Sequence, residues 1–373
     1  MQIAPFKLER YFARWEFKAR YLLCSSDCES MRIGDLLQFA PEAETRLKET
    51  WLGYTEYEGA LALRTEIAKL YTSISPEQIM VHAGAEEGIF AFFAANVTAG
   101  DHVIVHAPGY QSLYEIARSI GCEVSLWTTR DDDGWDLDLN WLQHNIRRNT
   151  RLIVVNCPHN PTGYLMRAET QRELVEMARK YGILIFSDEV YRGLEHDPSF
   201  ALPSMCDVYE NAVSLGALAK TWGLAGLRLG WIATHNPAIY AKSAAYKDYL
   251  SICNAAPSET LGIIALQHRD QIAERNLGII KANLAMLDAF FARHAERFIW
   301  QRPHAGSTAF PALKAQSGAQ AFCEDVVNGK SVLLLPSICY DYGDRHFRIG
   351  FGRANLPEAL AQLEAYLTER PSQ

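Results

Sequence analysis

"TRLIVVNCPHNPTGYLMRAETQRELVEMARKYGILIFSDEVY", residues 150–191, is where the fold is decided. "TRLIVVNCPHNPTG" (150–163) is an apolar run that enters a proline-rich turn at Asn156. "AETQRELVEMARKYG" reads as a helix ending at Gly182. "ILIFSDEVY" (183–191) is a second apolar run. Strand, helix and strand in that order form a crossover unit, and near-continuous apolar strands are buried on both faces of a parallel sheet.

The same alternation continues on both sides. Upstream, "QIMVHAG" (78–84) is a short strand and "AEEGIFAFFAANV" a helix. "DHVIVHAPGY" (101–110) is a strand, "YQSLYEIARSIG" a helix closed by Gly121, "CEVSLWTT" a strand and "LDLNWLQHNIRR" a helix. Downstream, "NAVSLGAL" (211–218) is a further strand. The expected fold class is α/β, with a mostly parallel, seven-stranded-type sheet between helices. After about residue 236 the pattern changes. A long amphipathic helix is expected over 277–298, strands at "SVLLLP" (331–336) and "HFRIGFG" (346–352), and a helix at "LPEALAQLEAYLTER". This predicts a large domain over 45–272 and a smaller α+β domain from 273–373 and 1–44, the latter including an N-terminal arm.

Composition narrows the function. The chain has 373 residues, with 36 Lys+Arg against 44 Asp+Glu, a net charge of −8. Without a basic cluster, nucleic acid and anionic membrane surfaces are poor partners. There is no apolar run long enough to span a bilayer, no apolar signal-peptide core and no CxxC pair, so a cytoplasmic protein with reduced thiols is expected. Asp131-Asp132-Asp133 reads as a solvated turn, and no metal site is expected.

In open α/β sheets ligands bind beyond the carboxyl ends of the strands. The residues there are Gly84-Ala85-Glu86, Tyr110, Asn156, Asn160, Asp188, Tyr191 and Lys220, with Arg228 shortly after. Singly, each has an ordinary explanation: a turn at Asn160–Gly163, a cap or solvated end at Asp188, a snorkelling Lys220, an ion pair at Arg228. Jointly the ordinary explanation is poor, because all fall on the ligand side. An amine, a carboxylate, an aromatic ring, an amide, a phenol and a helix N-terminus together suit pyridoxal 5′-phosphate. The aldehyde needs a lysine, the ring nitrogen a carboxylate, and the phosphate a helix start.

These residues sit in motifs that resemble the fold type I pyridoxal-phosphate aminotransferases, class I/II. The motifs are "LGYTEYEGALALRTEIA" (52–68), "HAGAEEGIF" (82–90), "APGYQSLY" (107–114), "NCPHNPTG" (156–163), "SDEVYRGL" (187–194), "LAKTWGLAGLRLGW" (218–231) and "FRIGFG" (347–352). The resemblance covers roughly residues 50 to 360. It implies that Lys220 is the Schiff-base lysine and proton shuttle, that Asp188 pairs with the pyridinium nitrogen, and that Asn160 and Tyr191 bond the phenolate oxygen. It further implies that Tyr110 stacks on the ring, that Gly84, Ala85, Glu86 and Arg228 meet the phosphate, and that Arg348 with Asn160 grips the substrate carboxylate. Tyr54 would cross a dimer interface to the partner's phosphate, in a homodimer with shared active sites. The implied reaction is amino-group transfer between an amino acid and a 2-oxo acid.

Two departures stand out. Relatives usually carry hydroxyl residues three before and often one before the lysine, where this chain has Ala217 and Ala219. A lost hydrogen bond to a charged group costs about 1.5–3 kcal/mol unless replaced, and Ser214, Thr221 or Glu86 through a water are the expected substitutes. The second departure is the polar segment Cys24–Glu29, expected to line the substrate entrance or to cap a helix. If it faces the substrate, Asp27 or Glu29 favours a cationic side chain. The chain also resembles capreomycidine synthase-like enzymes of the same fold, which use the cofactor for elimination and cyclisation of an arginine derivative. The alternative function is therefore a β/γ-elimination or cyclisation. His159 is expected to orient or merely neighbour the site, and Trp222 to pack on the cofactor loop. A nucleotide-binding Rossmann enzyme is disfavoured, because no GxGxxG follows the first strand. A cofactor-binding regulator is disfavoured because the motifs begin near residue 52, after a stretch that is not basic.

Overall fold

The central sheet is built from β1 (Ile79–His82), β2 (His102–Ala107), β3 (Glu123–Thr128), β4 (Thr150–Asn156), β5 (Leu184–Asp188), β6 (Ala212–Ala217) and β7 (Gly230–Thr234). These come from a computed structural model that describes residues 2–315 and 318–370. The spatial order is β1-β7-β6-β5-β4-β2-β3. All pairs among β3, β2, β4, β5 and β6 are parallel, and β7 runs antiparallel to both neighbours. The five strands from β2 to β7 other than β3 are almost wholly buried, whereas the edge strand β3 is partly exposed. This explains why β2, β4, β5 and β6 read as apolar runs, while β7 was not anticipated. The intervening helices end where Gly121 and Gly182 follow them.

A second, smaller set of strands follows: β8 (Phe298–Ile299), β9 (Thr308–Ala309), β10 (Ala312–Leu313), β11 (Leu335–Pro336) and β12 (Phe347–Gly350). They form a two-stranded β10-β8 pair and a three-stranded β11-β12-β9 sheet. The helix expected over 277–298 runs instead over Arg269–Arg293. It starts earlier because Ile272 and Asn276 are buried, and it stops earlier because Phe298 leaves to pair with Leu313. The expected strand at 331–336 is mostly irregular. Only Leu335–Pro336 joins a ladder, while Val332 bridges to Tyr21.

That bridge places the N-terminal segment. The backbone of Tyr21 exchanges bonds with Ser331 and Leu333, and Gly350 N–H donates to the Leu23 carbonyl. Further upstream, helix Lys7–Trp15 crosses to the central sheet's helices, where Lys7 N–H donates to Gln111 and the Phe6 ring packs on Tyr110. The N-terminal residues thus touch both strand systems. No helix among the described residues is long and apolar enough to cross a membrane.

Candidate active site

Register gathers the site. Asn156 pairs with Asp188 at the ends of β4 and β5, and Ala217 ends β6 one strand further on. The Asn156 side chain reinforces this. Its Nδ2 donates to the Asp188 carbonyl at 2.9 Å, and its Oδ1 accepts from the Asn160 N–H at 2.8 Å. One side chain therefore fixes both the carboxylate strand and the amide turn.

Above these ends lies a cavity of about 370 Å³. Lys220, Asp188, Tyr191, Asn160, Tyr110, Ala85, Glu86, Arg228 and Arg348 all line it. Gly84 stands directly behind, as the N-cap of helix Ala85–Asn96 with φ +89°. A Cβ at Gly84 would clash with Arg228 Nη2, so glycine here permits both the left-handed turn and the close guanidinium. Tyr54 does not line this cavity; its side chain projects outward and is 84% exposed.

Burial tunes the charged groups. It pushes the Asp188 carboxyl up to about 7, against which the Val190 N–H and the Lys220 charge act in the lowering sense. Burial likewise lowers the Lys220 amine, with Asp27 opposing. Lys220 Nζ donates to Ser26 Oγ at 2.8 Å. Arg348 is 1% exposed. Its Nε donates to the Cys24 carbonyl at 2.9 Å, and its Nη1 to Tyr340 Oη at 2.7 Å and Asn160 Oδ1 at 3.1 Å. Among the described residues neither Arg348 nor Arg228 has a carboxylate within ion-pair distance, whereas Arg353 is paired with Asp27 at 2.9 Å.

The residues fit pyridoxal phosphate on independent grounds. The Tyr191 hydroxyl is buried without a hydrogen-bond partner among the described residues, although such groups nearly always have one. Asn160 spends its oxygen on Arg348 and Tyr340, which leaves its amide N–H groups to donate. Arg228, free of carboxylates, stands at a helix N-terminus, the setting that favours a phosphate.

Several expectations are corrected, although that for His159 is not among them. Ser214 does not face the cavity: its hydroxyl is bound among Glu189, Ser204 and the Cys206 N–H. Thr221 donates to the Val190 and Arg192 carbonyls. Neither replaces the hydroxyls absent at Ala217 and Ala219, both of which line the cavity. Glu29 turns to the Ala354 N–H, and the Asp27 charge is engaged by Arg353. Trp222 packs near Trp231 and donates to the Arg269 carbonyl, away from the cavity. His159 stacks on His106 at 3.9 Å and bonds Thr162, which holds the Asn160 turn from behind. Asp131 pairs with His346, and no metal-binding cluster occurs among the described residues.

Sequence reading missed other wall residues. Glu9, Phe12 and Glu16 of the N-terminal region and Arg353 line the cavity, and Tyr340 holds Arg348 from behind. Ser25, Ser26 and Asp27 line it as well, as expected of the polar Cys24–Glu29 segment.

A doubly wound sheet with an amine, a carboxylate and an unpaired guanidinium gathered at its strand ends defines a pyridoxal-phosphate enzyme of fold type I. The chain belongs to the aminotransferase class I and II family, whose model matches residues 21–363. Over 365 residues it is 28% identical to the capreomycidine synthase of Streptomyces vinaceus, covering 96% of this chain and 93% of that one. A PLP-dependent aminotransferase from Streptococcus suis 89-1591 is 32% identical, with both chains covered in full and a TM-score of 0.94. The PLP-dependent cyclase OrfR is 25% identical, with a TM-score of 0.91 over 100% of this chain and 99% of its own.

Proposed function

We propose that the chain transfers an amino group between an amino acid and a 2-oxo acid, with Lys220 as the group that takes the substrate's α-proton. The observation that carries this is the Lys220 amine sharing one cavity with Asp188 and Arg348. Pyridoxal phosphate, when bound, supplies a cationic ring that accepts the electrons of the broken Cα–H bond. Asp188 would hold the proton on its ring nitrogen. Asn160 Nδ2 and Tyr191 Oη would donate to its phenolate oxygen, and Tyr110 would lie against the ring. Gly84, Ala85, Glu86 and Arg228 would hold the phosphate. Arg348 holds the substrate carboxylate, its orientation fixed by Cys24 and Tyr340. Burial lowers the Lys220 amine, which favours the neutral form that can take a proton. In transfer the carbon skeleton leaves as a 2-oxo acid, and a second 2-oxo acid receives the nitrogen.

The active unit in this reading is a homodimer, with Tyr54 of each copy reaching the other's phosphate. Support comes from the outward exposure of Trp51, Leu52, Tyr54 and Tyr249.

A second reading is elimination or cyclisation on an amino acid with a cationic side chain. Glu9 and Glu16 line the cavity on the N-terminal side, and Glu16 is shifted up by burial and then by Glu9. A cation placed there would relieve that repulsion, and an acidic mouth disfavours dicarboxylate acceptors such as 2-oxoglutarate. The likeness to a capreomycidine synthase and a cyclase points the same way.

Single amino acids incubated with the purified protein, with and without 2-oxo acids, separate the two. Product formation that depends strictly on an acceptor supports transfer. Consumption of arginine-like substrates without any acceptor supports the second reading. In either case Lys220→Ala lowers turnover by about 10²–10⁴-fold and abolishes borohydride trapping of cofactor on the 218–231 peptide. Full activity in that variant overturns both.

A further inference from the structure

One acidic group among those placed at the phosphate has a charge that the reading above leaves unexplained. Glu86 stands in the first turn of helix Ala85–Asn96, at the end that Arg228 and the free N–H groups make a phosphate seat. A carboxylate beside a phosphate is repulsive. Yet Glu86 is held there: its Oε1 accepts a hydrogen bond from the Ser112 hydroxyl, while Oε2 is buried and has no partner among the described residues. The groups that face it come from every neighbouring element. Tyr110 belongs to the turn after β2, Ser112 to the start of helix Ser112–Ile120, Glu9 to the N-terminal helix, Arg228 to the β6–β7 connection, and Asp188 and Lys220 to the cavity floor. Burial raises the Glu86 carboxyl, Glu9 adds to this, and Ser112, Tyr110 and Arg228 oppose it. Around the same seat the usual hydroxyls are absent, because Ala217 and Ala219 offer methyl groups and Ser214 and Thr221 turn away.

We propose that Glu86 is a neutral carboxylic acid that donates a hydrogen bond from Oε2 to the cofactor phosphate, in place of the hydroxyls absent at Ala217 and Ala219. This rests on the reading of the cavity as a pyridoxal-phosphate site. The proton stays on Oε2 and is shared with a phosphate oxygen, so no bond is made or broken. The consequence is a pH-linked hold on the cofactor. When Glu86 ionises, the donor disappears and a like charge takes its place. Glutamine at this position keeps an N–H donor and cannot ionise.

The test is cofactor affinity, read apart from turnover. Protein stripped of cofactor is titrated with pyridoxal phosphate from pH 6 to 9 by quenching of tryptophan fluorescence, for the parent, E86Q and E86A. The ratio of parent Kd to E86Q Kd should grow with pH, by at most about tenfold per unit. At pH 6, E86A should bind about tenfold more weakly than the parent. Infrared difference spectra of the loaded parent against E86Q should show a carboxylic-acid carbonyl stretch. A ratio that stays constant with pH, or the absence of that stretch, overturns the role of Glu86 while leaving the cofactor site intact. If the parent binds no cofactor and borohydride traps none on Lys220, the reading of the cavity itself falls, and the inference with it. E86Q is isosteric, so its comparison is independent of folding losses that E86A could suffer.

Discussion

Asp188 shows how a single residue's charge follows from its place in the sheet. It is the last residue of β5, so its backbone is fixed by β4 and β6 while its side chain projects into the cavity. In protein stripped of cofactor, burial raises its carboxyl to about 7, against about 4 in an unfolded chain. The folded state therefore binds the proton more tightly than the unfolded state. The associated stability is fully present below about pH 4 and is lost as pH rises through 7. An asparagine side chain in the same place would not titrate. Stripped Asp188→Asn protein should thus gain stability over the parent between pH 4 and 7, by up to about 4 kcal/mol; urea midpoints measured at several pH values check this. A difference that does not change with pH would show that Asp188 is not desolvated as described. With cofactor bound, the same substitution should lower turnover, because a neutral amide cannot keep the ring nitrogen protonated. Asp188, Lys220, Asn160 and Arg228 were legible in the sequence because each follows a strand or lies in a motif. Tyr340 was not: it ends a short helical turn, and no local pattern ties it to Arg348. The segment of Ser26 was expected at the substrate entrance, but its bond with Lys220 spans 194 residues and has no local signal.

At the scale of elements, the motif "FRIGFG" has a second meaning that only the structure supplies. Its arginine is the buried Arg348, but its two glycines serve the segment lying across them. A Cβ at Gly350 would overlap the Ser25 carbonyl oxygen, and one at Gly352 would sit 2.5 Å from the Asp27 carbonyl oxygen. Strand β12 thus accepts residues 23–29 directly on its backbone, and those residues bring Ser26 to Lys220 and the Cys24 carbonyl to Arg348. Gly350→Ala should push that segment off. The expected loss is about 1–3 kcal/mol of stability or more, since a backbone atom cannot rotate away, with a larger fall in activity than the change in Tm suggests. Thermal melts and turnover on the same preparation test it, and an unchanged Tm with full activity would show the docking to be unimportant. Most strands of the central sheet were legible as apolar runs, whereas β7, just as buried, begins at the end of "LAKTWGLAGLRLGW" and was not read as a strand. The N-terminal helix was not legible either. In "KLERYFARW" only Leu8 is fully buried, and its cavity-facing Glu9 becomes meaningful only against Tyr110 and Glu86 from distant strand ends.

At the scale of the whole molecule, one face carries apolar residues that the chain itself does not cover. Trp51 is 78% exposed and Tyr249 90%, with Leu52 and Tyr54 similarly placed. The 50–60 loop that carries Trp51, Leu52 and Tyr54 is tied to the 247–260 region that carries Tyr249. Lys247, fully buried, donates from Nζ to the Tyr57 carbonyl, to the Val81 carbonyl at 2.6 Å and to Asn254 Oδ1 at 3.1 Å; Thr55 Oγ1 donates to the Asn254 carbonyl at 3.0 Å. A lysine so enclosed, with its three donors all used, makes the loop a rigid platform. Large exposed aromatics on linked segments are the kind of surface that protein interfaces cover. The sequence signalled Tyr54 through its motif, but Trp51, Tyr249 and Lys247 carried no signal of their own. A tryptophan covers roughly 150–250 Å² when buried, which at about 25 cal/mol per Å² is several kcal/mol per copy. A twofold dimer counts each such residue twice. The double variant Trp51→Glu/Tyr249→Glu should therefore elute at half the parent's mass in light scattering at micromolar protein, with its fold retained by circular dichroism. If Tyr54 of one copy serves the other's phosphate, the separated chains should also release pyridoxal phosphate on dialysis where the parent retains it. A parent protein that is already a monomer at that concentration, yet holds its cofactor and turns over substrate, would mean that each cavity works alone and that the apolar face has another use.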